Sequence, residues 1–145
     1  YKDSSGDMTY FYKVIRLLKD HPGKTVLIGP EEQLSEAILL GGNGGVSGGA
    51  NLFPQLYVDL YEAAVRQDIQ AVQHLHQRVM DISTSLYDIG KHRSSTIKGI
   101  KCALSCLGIC NDDMAEPFHK FRDHERAIVL ERVEALNGLA VGEHY

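Results

Sequence analysis

The stretch Tyr1-Lys2-Asp3-Ser4-Ser5-Gly6-Asp7 combines the end of a strand with residues that favour turns and helix caps. Asp, Ser and Gly are frequent in both settings, so this cluster should end one element and begin a helix. The apolar residues that follow recur at helical spacing, at Met8, Phe11, Ile15 and Leu18. His21-Pro22-Gly23 ends the pattern. The stretch therefore predicts the junction of a strand with the helix that follows it.

The same order of strand and helix repeats twice further along the chain. Residues 25–28 form a short apolar run typical of a buried strand, and Gly29-Pro30 closes it before the next helix. Residues 43–51 predict a very short strand that opens into a glycine-rich loop, and Pro54 begins a third helix. Strictly alternating strands and helices imply that the strands are parallel.

After Gln67-Asp68 the alternation stops and only helical periodicity remains, over residues 69–89, 97–107 and 125–136. We therefore predict two domains, an α/β part at 1–67 and an all-helical part at 68–145. A polar connection at 108–117 should be exposed.

The composition limits the kinds of partner. The net charge is -4, and no run of Lys or Arg is longer than a pair, which disfavours binding to nucleic acid. No stretch approaches the ~20 apolar residues of a membrane span, and the first residues do not resemble a signal peptide. These features predict a soluble protein without an export signal.

Three cysteines are spaced by four residues, which predicts that they lie along one side of a single helix: Cys102, Cys106 and Cys110. Their odd number argues against a disulfide framework, and no CxxC pair or nearby His completes a metal site. Buried packing is the favoured interpretation. It indicates a reducing, cytoplasmic compartment.

Several residues could carry chemistry. Lys2 ends a strand, where α/β folds present catalytic groups, and a lysine there can attack a carbonyl carbon. An ordinary lysine is the alternative on position alone. The glycine-rich loop could bring backbone N–H groups to an anion, or simply allow a tight turn. Glu31 and Glu32 could hydrogen-bond substrate hydroxyls, or stabilise a helix N-terminus. His74 and His76 face different sides of a helix, which disfavours a metal site.

The opening stretch closely resembles the G-[ILV]-K-[DE]-[SA]-[ST]-G-[DN] signature of the dihydrodipicolinate synthase and N-acetylneuraminate lyase family. Residues 41–51 resemble the family's G-A-D-G-x-x-S-x-x-A-N stretch, and Leu52-Phe53-Pro54 with Leu60-Tyr61-Glu62-Ala63-Ala64 resembles the helix that follows it. The resemblance continues through Lys98-Gly99-Ile100-Lys101-Cys102-Ala103-Leu104 and covers essentially the whole chain.

The resemblance implies a (β/α)8 TIM barrel with a C-terminal all-helical extension, in which residues 1–67 are the last three βα units. Lys2 is implied to be catalytic, forming an imine with pyruvate or another 2-oxo acid that acts as an electron sink for carbon-carbon bond chemistry. Substrate-binding residues are implied at Gly29, Glu31, Glu32, Val46 and Ser47. The family implies small-molecule substrates, a 2-oxo acid and an aldehyde, with no cofactor or metal, and a homo-oligomer, commonly a tetramer.

The chain departs from the family pattern in two ways. The first five βα units have no counterpart, and with them go the family's carboxylate-binding Thr pair and its proton-relaying Tyr. We therefore expect a piece of a larger barrel that is neither stable nor active alone. Gly29-Pro30-Glu31-Glu32 replaces the S-G-D-D of dihydrodipicolinate synthases, which favours a lyase or aldolase with a hydroxylated, sugar-acid-like substrate. A dihydrodipicolinate synthase-like reaction is the other possibility within the family. The alternatives are a dehydratase of 2-keto-3-deoxy sugar acids that uses the same imine, and a catalytically silent homologue for small-acid binding or assembly.

Overall fold

The computed structural model describes residues 1–90, 92 and 94–141. Its strands and α-helices, in chain order, are β1 (Lys2–Asp3), α1 (Met8–Leu18), β2 (Leu27–Ile28), α2 (Leu34–Leu39), β3 (Gly44–Gly45), α3 (Pro54–Val65), α4 (Ile69–Ile82), α5 (Ser95–Cys106) and α6 (Asp123–Val141). Short 3-10 turns lie at Glu31–Gln33 and Gly49–Asn51. The predicted alternation in the first part of the chain, and the helical order after it, are confirmed.

The three strands form one parallel sheet in the order β1-β2-β3. The predicted four-residue strand at 25–28 is too long, because β2 contains only Leu27 and Ile28. The backbone N–H of Val26 donates instead to the side-chain Oδ1 of Asn43 at 2.8 Å. Each strand is only two residues long, so the sheet depends on the helices that pack against it.

The chain forms two compact units, Tyr1–Val79 and Met80–Tyr145. In the first unit, the Asp7 carboxylate accepts a hydrogen bond from the Tyr10 N–H at 3.1 Å and caps α1, which begins where the sequence predicts. Helices α2 and α3 pack together. Buried apolar side chains of this unit include Phe11, Ile28 and Leu60. The predicted boundary at 67/68 separates a barrel from an appended helical domain, which is a different division from that between the two compact units. It stays a prediction.

In the second unit, α5 packs against α6 and against a π-helical turn at Ser83–Tyr87. The predicted helix over 69–89 is therefore not uniformly α-helical, since α4 ends at Ile82. The Thr84 hydroxyl donates to the Met80 carbonyl oxygen at 2.8 Å, within the wider turn. Buried apolar residues of this unit include Leu86, Cys102, Ala103, Val129 and Val133.

The prediction that all three cysteines lie on one helix is wrong for Cys110. Helix α5 ends at Cys106, and Gly108 adopts a positive φ of 72° that turns the chain away from the helix. Cys102 is buried, as predicted, whereas Cys106 is half-buried and Cys110 is exposed. Most of the connection at 108–117 is exposed, as predicted. Within the described residues, no helix is both long enough and apolar enough to cross a membrane.

Candidate functional site

Lys2 lies on the open face of the sheet. In the parallel register Lys2 is opposite Leu27, while Asp3 is opposite Ile28. Successive side chains of a strand point to opposite faces, so Asp3 and Ile28 share the other face. Asp3 and Ile28 are 3% and 1% exposed, whereas Lys2 is exposed. The helices of this chain therefore cover one face of the sheet and leave the face of Lys2 accessible.

Gly29 lies directly beside the end of the strand that carries Lys2. Its backbone N–H donates to the Asp3 carbonyl oxygen at 2.6 Å, which extends the pairing of the two strands by one residue. A Cβ atom at Gly29 would collide with the Ser4 hydroxyl and lie 2.8 Å from the Asp3 carbonyl oxygen. Only glycine fits, so the loops after β1 and β2 can approach each other closely.

Val46 follows β3 at the same edge of the sheet. Its backbone N–H donates to the Ile28 carbonyl oxygen at 2.9 Å, and its side chain is 48% exposed. By alternation from Gly44, the partner of Leu27, Val46 lies on the face of Lys2. The structure thus brings three of the predicted site residues to one face and one edge of the sheet: Lys2, Gly29 and Val46.

Ser47 has a different environment from Val46. It is half-buried and lines a cavity of about 540 Å³ together with residues of β3 and α3, among them Tyr57 and Tyr61. Leu34 of α2 closes part of the same cavity. Ser47 therefore lies on the side of the helical layer, whereas Val46 lies on the face of Lys2.

Glu31 is buried at 4% exposure, and its carboxylate contacts two other parts of the fold. Oε2 accepts a hydrogen bond from the Gly49 N–H at 2.7 Å, and Oε1 accepts one from the Tyr57 hydroxyl at 2.5 Å. Glu32 follows it in the same 3-10 turn and is half-buried. Glu31 thus links the loop after β2 to the loop after β3 and to α3.

Asp3 and the partners of Glu31 are site features that the local sequence pattern did not predict. The Asp3 Oδ1 atom accepts a hydrogen bond from the Ser5 N–H at 2.9 Å, and Oδ2 is buried without a hydrogen-bond partner among the described residues. The signal for that turn was present, because Asp commonly bonds the backbone N–H two residues later. No local signal could reveal Gly49 and Tyr57, which are 18 and 26 residues from Glu31.

The sequence of the chain is similar to those of known proteins. The sequence model of the Dihydrodipicolinate synthetase family matches residues 1–136. A 4-hydroxy-tetrahydrodipicolinate synthase of Methanopyrus kandleri is 25% identical over 142 residues, which cover 97% of this chain and 45% of that protein.

Two solved structures are similar to the chain. Dihydrodipicolinate synthase from Bacteroides thetaiotaomicron has a TM-score of 0.89 at 50% identity, covering 92% of this chain and 45% of that one. YagE from E. coli K12, a prophage protein of the dihydrodipicolinic acid synthase family solved in complex with pyruvate, has a TM-score of 0.79 at 25% identity. That match covers 94% of this chain and 45% of YagE.

These similarities also confirm the predicted fold class. The parallel sheet and its helices match the C-terminal part of a TIM barrel. The chain spans about half the length of the relatives that it matches. Because the family's sequence model covers nearly all of its residues, the chain belongs to the dihydrodipicolinate synthetase family.

Proposed function

We propose that this chain carries the Schiff-base lysine of a class I lyase or aldolase that acts on pyruvate or another 2-oxo acid. The observation that carries the proposal is the position of Lys2 at the carboxyl edge of a parallel sheet, on the same face as Gly29 and Val46. Membership of the family and the pyruvate complex of YagE support the substrate class.

In the proposed reaction the neutral amine of Lys2 attacks the carbonyl carbon of the 2-oxo acid, and water leaves as the imine forms. The protonated imine then accepts the electron pair of a C–H bond on the adjacent carbon, a base takes the proton, and an enamine forms. The enamine carbon attacks the aldehyde carbon, the aldehyde oxygen takes up a proton as its C=O π bond breaks, and the reverse sequence cleaves the 2-oxo acid. Hydrolysis of the imine releases the product and regenerates Lys2.

The other predicted site residues have proposed roles in binding. Val46 offers an exposed apolar side chain on the face of Lys2, suited to contact the carbon chain of the bound keto acid. The backbone of Gly29 lies at the same edge and contributes to the pocket. Ser47 and Glu32 complete the set from the loops after β3 and β2, and Glu32 favours a substrate with hydroxyl groups. Glu31 acts on binding through its contacts with Gly49 and Tyr57, because its carboxylate is buried.

The proposed activity belongs to a protein of the length of the relatives. Since residues 1–145 span about half of that length, the groups that bind the substrate carboxylate and relay protons come from the remaining part of the barrel. That part would also cover the open face of the sheet and exclude water around Lys2. We further propose a homo-oligomer, and a boundary between barrel and helical extension at 67/68.

Reductive trapping tests the proposal. The protein at full length is incubated with pyruvate and borohydride, and mass spectrometry identifies the modified peptide. We expect one adduct on Lys2, none in Lys2→Arg, and an unchanged adduct in the control Lys13→Arg, which alters an exposed lysine of α1. Pyruvate binding without an adduct would contradict the enzyme and favour a silent small-acid binding module.

Trapping detects the imine in both a lyase and a dehydratase, so the products must separate the two reactions. A dehydratase would form the adduct with a 2-keto-3-deoxy sugar acid and release water without cleaving a carbon-carbon bond. Product analysis by mass spectrometry, with and without an added aldehyde, therefore distinguishes it from a lyase. We expect carbon-carbon bond formation or cleavage.

A further inference from the structure

The contacts of Glu31 fit a structural role in the site better than direct binding of substrate. Its carboxylate is 4% exposed, and each oxygen accepts a hydrogen bond from the protein, Oε2 from the Gly49 N–H and Oε1 from the Tyr57 hydroxyl. Tyr57 is itself 5% exposed. If Glu31 rotated towards a substrate, two buried donors would lose their acceptor.

Gly49 is held by hydrogen bonds at both its backbone N–H and its carbonyl oxygen. Its N–H donates to Glu31, and its carbonyl oxygen accepts hydrogen bonds from the N–H groups of Leu52 and Phe53, both at 2.9 Å. A Cβ atom at Gly49 would collide with the Tyr57 hydroxyl and lie 2.6 Å from Oε1 of Glu31. The loop at 46–53 is therefore anchored at its centre by a carboxylate from the preceding βα loop.

We infer that Glu31 is a positioning residue: it holds the loop at 46–53 in place through Gly49 and Tyr57, and thereby sets where Val46 meets the bound keto acid. The inference rests on the proposed function for its catalytic consequence. Val46 lies three residues before Gly49 and on the face of Lys2, so a shift of the anchor moves the apolar wall of the pocket. Glu31 then acts on keto-acid binding, and it does not bind substrate hydroxyls.

Two variants and one matched control test the inference in the protein at full length. Glu31→Gln changes one of the two acceptors, and Tyr57→Phe removes a single hydroxyl. Glu36→Gln is the control, because Glu36 also accepts a tyrosine hydroxyl, that of Tyr12 at 2.6 Å, but lies on the exposed side of α2. Tyr57→Phe keeps the test informative if Glu31→Gln does not fold.

The first measurement is hydrogen exchange of the backbone amides, with the Gly49 amide as the reporter. We expect Glu31→Gln and Tyr57→Phe to speed exchange across 46–53 about tenfold, and Glu36→Gln to leave it unchanged. This result does not require activity, so it survives a failure of the proposed function. Unchanged exchange in both variants would overturn the anchor.

The second measurement is the steady-state kinetics of both variants. A positioning role predicts that KM for pyruvate rises several-fold in Glu31→Gln and Tyr57→Phe alike, and that the double variant is no worse than Glu31→Gln, because the two residues act as one unit. A role in binding hydroxyls predicts the opposite pattern. Glu31→Gln would then weaken only hydroxylated substrates, and Tyr57→Phe would not reproduce the effect. Absence of a Lys2 adduct in the unaltered protein would instead reject the proposed function.

Discussion

Burial is the main influence on the chemistry of the Cys102 thiol. Loss of solvation raises the pKa of its thiol from 9.0 to about 12, with the neighbouring Cys106 adding to the effect and Arg126 opposing it. The raised pKa keeps the thiol protonated at neutral pH, and an exposure of 1% closes it to reagents. It packs at the contact between α5 and α6, where Nη1 of Arg126 lies 3.9 Å from its sulfur.

We expect the three thiols to react in the order of their exposure, Cys110 first, Cys106 next and Cys102 last. Alkylation with iodoacetamide at pH 8, followed by peptide mass spectrometry, measures the order. Cys110→Ser is the control and should remove the fastest phase without changing the others. Rapid labelling of Cys102 in the folded protein would contradict its burial.

The raised pKa of Cys102 also predicts a pH dependence of stability. Above pH 9 the unfolded thiol loses its proton while the folded thiol keeps it, so the unfolded state binds fewer protons and the free energy of unfolding falls. The stabilisation is complete below pH 9 and is lost as the pH rises towards about 12. Cys102→Ala should flatten this part of the stability curve measured by urea unfolding.

At the scale of the helices and strands, the local sequence predicts some features and not others. Alternation and capping predicted the order of strands and helices and the start of α1 at Met8, since these depend on residues close in sequence. Strand length was overestimated, because the N–H of Val26 pairs with Asn43, 17 residues away. The burial of Glu31 was missed for the same reason. Distant partners, which the local pattern does not reveal, decide both features.

Arg126 joins two helices of the second unit to the connection between them. Its Nη1 atom lies 3.1 Å from the Ser105 hydroxyl of α5 and 3.2 Å from Oδ2 of Asp112. The Asp112 side chain is only 13% exposed, whereas that of Asp113 is 72% exposed. Lys120 lies 3.8 Å and 3.9 Å from the two carboxylates, so burial and the contact with Arg126 distinguish Asp112 from Asp113.

We therefore expect Asp112→Asn to lower the free energy of unfolding by about 1 kcal/mol, and the matched control Asp113→Asn by about 0.3 kcal/mol or less. Urea unfolding of both variants measures the difference. Because the Arg126 side chain is 40% exposed, high salt should reduce the difference in unfolding free energy between the two variants. Equal losses would show that Lys120, and not Arg126, gives Asp112 its importance.

At the scale of the whole molecule, the surfaces of the α/β unit are those of an incomplete barrel. Strands β1 and β3 are the two edges of the sheet, and the face of Lys2 is open, whereas parallel sheets are usually covered on both faces. Helix α3 also exposes an apolar stripe at Val58, Tyr61 and Val65. We expect these surfaces to be covered by the part of the barrel that the longer relatives have in addition.

Residues 1–145 produced alone should therefore self-associate as concentration rises, whereas the protein at the length of the relatives should form one defined species. Sedimentation velocity over a range of concentrations measures this. Val58→Lys with Val65→Lys should weaken the association, since charges on the stripe resist burial. Leu17→Lys is the control, because Leu17 is 73% exposed but belongs to α1 and not to the stripe on α3. A stable monomer of residues 1–145 at every concentration would show that the open sheet face and the apolar stripe are stable in contact with water. It would contradict the expectation that further barrel units must cover them.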